Sequence, residues 1–130
     1  MDTDNTIQSP SFEINIKTKY LDNQSDPDGN QFVFSYTISI LNKSLTKAQL
    51  LRRHWIITDT NGETMEIKGA GVVGKQPWIA PGEEFQYTSG TVINDVMGCM
   101  HGSYIMRGED GIEFEATIPV FTLSKPDMLH

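Results

Sequence analysis

Three stretches of this sequence hold residue types that can do chemistry. "GAGVVG", Gly69 to Gly74, spells the glycine spacing of a dinucleotide-binding turn. Such a turn works because a strand ends, the glycines let the backbone approach pyrophosphate, and a helix N-terminus faces the anion. A strand before Gly69 is expected from "TMEIK", but a helix after Gly74 is not. Pro77 and Pro81 each remove an amide donor and clash with the preceding turn, and they bias Gln76 and Ala80 away from helical angles. Asp95 lies about 20 residues on, where a ribose-binding carboxylate belongs. With 17 acids in the chain that match is cheap. A nest of consecutive amides can hold an anion without a helix, and Lys75 stands beside this one. The candidate ligand loop is therefore Gly69, Gly71, Gly74 and Lys75, against the plainer reading of a glycine-rich loop or bulge linking two sheets.

The second stretch holds Cys99 and His101, which project from one face of a strand and form half of a site for a soft divalent metal. A structural zinc site needs four ligands at recognisable spacings, and His54 and His130 lie far off in sequence. Ordinary sheet residues are the expectation, with no metal and no cofactor. Nucleophilic catalysis by the pair needs a third orienting group, and no spacing identifies one. Carboxylates such as Glu113 and Glu115 alternate outward as solvated charge. The third stretch, "RRH" at Arg52 to His54, is the one basic cluster and reads first as a strand surface. GxSxG, P-loop and HExxH patterns are absent.

The elements that must position these residues are strands. In "FEINIKTKYL", Phe12, Ile14, Ile16 and Tyr20 share one face, and in "QFVFSYTISIL" Phe32, Phe34, Tyr36, Ile38 and Ile40 point inward. In "AQLLRRHWIITD" the register is set with Leu51, Trp55 and Ile57 inward. Asn61-Gly62 signals a type I′ hairpin and Pro81-Gly82 a type II turn. Met100, Tyr104 and Met106 share a side, and the last strand is read with Ile112, Phe114, Ala116, Ile118 and Val120 inward, ending at Pro119 or running along an edge. No stretch offers an amphipathic helix. The spacing predicts an all-β fold, a single antiparallel β-sandwich over residues 12–126, with a loose segment at 1–11 and a tail at 127–130.

A chain of 130 residues has room for one core. Net charge −7 repels phosphate backbones, so nucleic acid is not an expected partner. No apolar run reaches membrane-spanning length, and the opening "MDTDNTIQSP" lacks the apolar stretch of a signal peptide. One cysteine closes no intrachain disulfide, so a cytoplasmic location is expected. Trp55 reads as core, whereas Trp78, between Pro77 and Ile79, reads as an exposed aromatic anchor.

The ordered series "FVFSYTISILN", "LLRRHWIITDTNG", "IKGAGVVGKQPWIAPGEEFQYTSG" and "MHGSYIMRGEDGIEFEATIPVFTLSKP" resembles the bacterial ApaG proteins from about Phe12 onward. The resemblance implies a fibronectin type III-like, immunoglobulin-like sandwich. Similar domains occur in eukaryotic F-box proteins and in a polymerase-delta-interacting protein as protein-binding modules. The family is noted for this glycine motif, which Gly69, Gly71 and Gly74 match, and is linked genetically to cobalt resistance and magnesium efflux. It has no established catalytic residues to carry over. The expected function is a non-enzymatic protein-binding module, with Arg52, Arg53 and Trp78 as first partner contacts. The alternative is a sensor of a phosphate metabolite or metal-nucleotide at the glycine loop.

Overall fold

Two antiparallel sheets, one of three strands and one of five, pack face to face in this computed structural model, which describes residues 11–126. The strands are β1 (Phe12–Tyr20), β2 (Phe32–Asn42), β3 (Ala48–Asp59), β4 (Thr64–Ala70), β5 (Trp78–Ile79), β6 (Glu84–Ile93), β7 (Met97–Gly108) and β8 (Glu113–Ser124). One sheet runs β1-β2-β6 and the other β4-β3-β7-β8, with β5 paired to the start of β3. This is the β-sandwich the alternation predicts. The segments 1–10 and 127–130, and with them most of the expected loose ends and His130, lie outside the described residues. No helix among the described residues is long and apolar enough to cross a membrane.

Period-two patterning builds the core. On β2, Phe32, Phe34, Tyr36, Ile38 and Ile40 are buried, and they face Trp55, Ile57, Met100, Tyr104 and Met106 from the other sheet. Trp55 is 1% exposed and takes edge-on contacts from Tyr36 at 5.5 Å and Phe121 at 5.8 Å. Its neighbour across the β3–β7 ladder is Gly102, where a Cβ would lie 2.0 Å from the His54 carbonyl oxygen. Glycine is needed there so that β7 can approach β3.

Two bulges break the alternation and correct the sequence reading. Between Leu50 and Arg52 the β3–β7 register shifts by one. Leu50 takes the core position, and Leu51, though buried, is the extra residue outside the central cluster. Between Ile118 and Phe121, Pro119 and Val120 oppose the single residue His101. Val120 is thereby exposed, Leu123 is buried, and β8 runs past the proline as an edge strand to Ser124. Ile112, expected inside, sits exposed in the turn before β8.

The turns also differ in type. Gly62 N–H donates to Asp59 O, and Asp59 N–H to Glu63 O, with only Gly62 at positive φ. That is a three-residue hairpin with a glycine bulge rather than type I′. At Ala80–Glu83 the type II turn forms as read, with Gly82 at φ 77° and Glu83 N–H on Ala80 O. Asn42, which drew no notice in the sequence, is fully buried at the end of β2. Its Nδ2 donates to the carbonyls of Thr46 and Ile79, both at 2.9 Å, and its Oδ1 accepts from Ser44 N–H.

Candidate functional site

The glycine motif is a small hairpin folded back onto the bulge of β3. Leu51, looped out of the ladder, offers its carbonyl, which accepts from Gly71 N–H at 2.7 Å and from Gln76 Nε2 at 2.9 Å. Beyond it Val72 and Lys75 exchange two backbone hydrogen bonds around Val73 and Gly74, both at positive φ. The turn with two left-handed residues thus falls at Val73-Gly74, not at Asn61-Gly62. A valine at φ 43° is unusual for a β-branched side chain, and its position signals strain held by the surrounding bonds. After Lys75 the chain runs extended into β5, as the prolines require.

Each glycine has a reason in this geometry. Gly69, across the ladder from Arg53, leaves room for the guanidinium, whose nitrogens would lie within 2.9 Å of any added Cβ. At Gly71 a Cβ would meet the Lys75 carbonyl oxygen at 2.2 Å, and φ is 61°. Gly74, at φ 78°, has nothing near a would-be Cβ and serves the turn alone. The amides of Gly71, Val72 and Lys75 are all bonded to protein carbonyls, so they are not directed at a ligand. Asp95, the candidate ribose carboxylate, accepts from Thr60 N–H and from the Thr60 hydroxyl. Those bonds, the hydroxyl's first, hold its carboxyl below the usual range.

The Arg53 side chain joins the motif to the sheet; Arg52 pairs with Ala70 through the backbone ladder but sends its side chain elsewhere, and Trp78 sits on β5. Arg53 Nη1 donates to Ala70 O at 3.1 Å and to Gly71 O at 2.9 Å. Arg52 projects from the opposite face of β3 and pairs with Glu113 at 2.8 Å. Trp78, 45% exposed, sits on β5 with the Lys47 ammonium 5.2 Å from its ring centre.

Two depressions flank Arg53. One is a shallow dish of about 480 Å³ on the outer face of the larger sheet, where His54, Ser103 and Glu115 meet Lys68 and Ile105. Ser103 donates to Glu115 at 2.9 Å, and His54 pairs instead with Glu66 at 2.5 Å. Hydroxyl and imidazole are each held by a different carboxylate, so no nucleophile–base bond forms. Cys99 and His101 face outward from the same sheet, and among the described residues no cluster of three metal-ligating side chains exists.

The other depression is a cleft of about 260 Å³ between the sheets, roofed by Val72, Val73 and Gly74. Tyr36, Trp55 and Tyr87 line its buried floor, and Arg53 and Ser89 its walls. Tyr87 and Tyr104 share a hydroxyl–hydroxyl bond of 2.5 Å. Burial pushes both hydroxyls far above their ordinary pKa, so they remain neutral donors. Neither the cleft nor the tyrosine pair was visible from sequence spacing. The only signal was the inward phase of Tyr36, Arg53, Tyr87 and Tyr104 on four separate strands.

The sequence pattern described as the ApaG domain matches residues 22–108, which carry β2 to β7 and the whole glycine motif. The chain is 55% identical over 117 residues to Protein ApaG of Pseudomonas paraeruginosa, covering 90% of this chain and 93% of that protein. It is 51% identical over 123 residues to Protein ApaG of Nitrosomonas eutropha, covering 95% and 97%. The crystal structure of the putative ApaA protein from Bordetella pertussis superimposes with a TM-score of 0.87 at 44% identity, covering 90% of this chain and 95% of that one.

Proposed function

The chain belongs to the ApaG domain family, and on that footing we propose that it is a non-enzymatic binding module that takes an extended segment of a partner protein along the free edge of β6. The observation that carries this reading is a contrast among the outer strands β1, β4, β6 and β8 of the two sheets. β1 bears Glu13, Lys17 and Lys19; β4 is short and bears Glu66 and Lys68; β8 bears Glu113, Glu115 and Pro119. Charges, short strands and prolines are the devices that keep edges from pairing. β6 has none of them between Phe85 and Ile93, and it pairs in unbroken register with β2 alone.

An edge of that kind is suited to strand addition, in which main-chain hydrogen bonds give affinity and alternate side chains give specificity. Exposed Met65, Val73 and Val92 stand on the same open side of the sandwich, against depressions that run between β4 and β6. The partner segment is therefore uncharged where it pairs and apolar on alternate residues. With net charge −7 on the module, basic flanks on the partner speed its approach. The separate engagement of Ser103 and His54 supports the absence of hydrolytic chemistry. On this reading the cobalt resistance and magnesium efflux that the family resemblance implies would act through this partner.

The test is position-specific. A photo-crosslinking side chain at Gln86 or Val92 is expected to capture the partner in the native host through an extended segment, and one at Lys17 on β1 is not. Thr88→Lys, an exposed substitution on β6, is expected to abolish capture and to match a deletion strain in cobalt tolerance. Capture from Lys17 or Trp78 that survives Thr88→Lys would overturn the reading, as would capture of a second copy of the chain alone.

A further inference from the structure

Donor capacity around the inter-sheet cleft exceeds the acceptors that the described residues supply. Arg53 is half-buried there, and among the described residues it has no carboxylate partner. Its Nη1 is spent on two backbone carbonyls, which leaves the rest of the fork uncommitted. Trp55 also lines the cleft, and its buried indole Nε1–H has no acceptor among the described residues. A buried donor left unpaired costs about 1–3 kcal/mol, which leaves the floor of the cleft short of acceptors. Tyr104 is enclosed and Tyr87 lines the cleft, so the proton order that satisfies both runs from Tyr104 to Tyr87 and from Tyr87 outward. Ser89 adds another hydroxyl. Among the described residues no carboxylate lines the cleft, and the one charged side chain there is positive.

We propose that this cleft binds a small oxyanion, a carboxylate or phosphate group, between the Arg53 guanidinium and the Tyr87 hydroxyl, over the Trp55 ring and beneath the Val72–Gly74 turn. A space of about 260 Å³ lies just below the usual range for drug-sized ligands, which favours a compact anion over a dinucleotide. The glycine motif contributes by shaping the roof and anchoring Arg53, not by offering its amides. Gly71 O and Ala70 O orient the guanidinium, and guanidinium–oxyanion pairing is charge-assisted and directional. The inference does not rest on strand addition at β6.

The protein's two tryptophans make the test direct, because each gives one indole N–H signal and Trp78 lies outside the cleft. Inorganic phosphate, pyrophosphate and acetate are titrated separately into the full chain at matched ionic strength, against chloride, with ¹H–¹⁵N spectra recorded at each step. The expected result is a saturable shift of the Trp55 indole signal with at least one probe and none at Trp78. Whether phosphate or acetate saturates first identifies the anion class. Tyr87→Phe and Ser89→Ala leave the hairpin bonds intact, and Tyr87→Phe is expected to weaken binding about five- to tenfold. Arg53→Gln is expected to abolish it, and Thr88→Lys to leave it unchanged, which separates this site from the partner edge. No saturable shift with any probe at tens of millimolar, or a shift shared by Trp78 and unaltered in Tyr87→Phe, would overturn the proposal and leave the cleft to water.

Discussion

Arg53 and Gly71, eighteen residues apart, are joined by a hydrogen bond of 2.9 Å from the guanidinium to the glycine carbonyl. The bond ties the glycine hairpin to the strand that carries the core tryptophan, and it turns an apparent nucleotide signature into a structural device. Several consequences can be measured.

The three motif glycines are unequal. Gly74→Ala meets no atom and suffers only left-handed strain, so it is expected to cost about 1–2 kcal/mol. Gly71→Ala adds a clash with the Lys75 carbonyl to the same strain and is expected to cost at least about twice as much. Denaturant unfolding of both variants checks this. Equal losses would mean that the close approach at Gly71 has no energetic weight.

Gly102→Ala is expected to destabilise as strongly as a core truncation. The new methyl must push β7 away from the His54 carbonyl beside Trp55, at a cost of about 3 kcal/mol. Trp55→Ala, which leaves a cavity among Tyr36, Tyr104 and Phe121, is expected to cost about 3–5 kcal/mol. Comparable melting temperatures for the two variants would agree with this; a Gly102→Ala protein as stable as the parent would not.

Asn42→Leu leaves the buried Ile79 carbonyl without its partner and removes the bonds to the Thr46 carbonyl and the Ser44 amide, both at the more open end of the loop. The expected loss is about 1–3 kcal/mol, the cost of one unsatisfied buried group. Asn42→Asp keeps the shape and the acceptor but removes both donors, and it is expected to lie between the parent and Asn42→Leu. Chemical denaturation ranks the three.

Stability should fall at high pH. Burial, the chief cause, raises the Tyr87 and Tyr104 hydroxyls in the folded state above the ordinary tyrosine value of about 10. Groups raised in this way stabilise the fold fully below the unfolded pKa and lose that contribution as pH climbs toward the folded one. Above about pH 10 each tyrosine therefore withdraws about 1.4 kcal/mol per pH unit. Tyr87→Phe is expected to roughly halve the alkaline slope. An unchanged slope would show that the tyrosines titrate alike in the folded and unfolded states.

Most of the fold was legible because alternation reports directly on which face is buried. Phe32 to Ile40 on β2 and Met100 to Met106 on β7 kept their predicted phase throughout. Val120 did not, since a bulge adds one residue and inverts everything beyond it, and nothing in "TIPVF" marks the inversion except a proline that reads equally well as a strand end. The tight turn at Val73-Gly74 was hidden because valine disfavours positive φ, so propensity pointed to Asn61-Gly62 instead. Asn42 and the Tyr87–Tyr104 pair depend on residues far apart in the chain, which no local spacing encodes. The site residues split for the same reason: adjacent Arg52 and Arg53 point to opposite faces, and it is the Arg53 side chain that hydrogen-bonds the glycine motif while Arg52 pairs with Glu113.

Amide hydrogen exchange of the chain alone and with its crosslink-identified partner segment tests the account most directly. Slowed exchange is predicted at alternate backbone amides between Phe85 and Val92, the signature of a strand added to β6, with little change around Arg52 and Trp78. Protection gained on the outer face of β3 and β5, with β6 exchanging as it does alone, would contradict it.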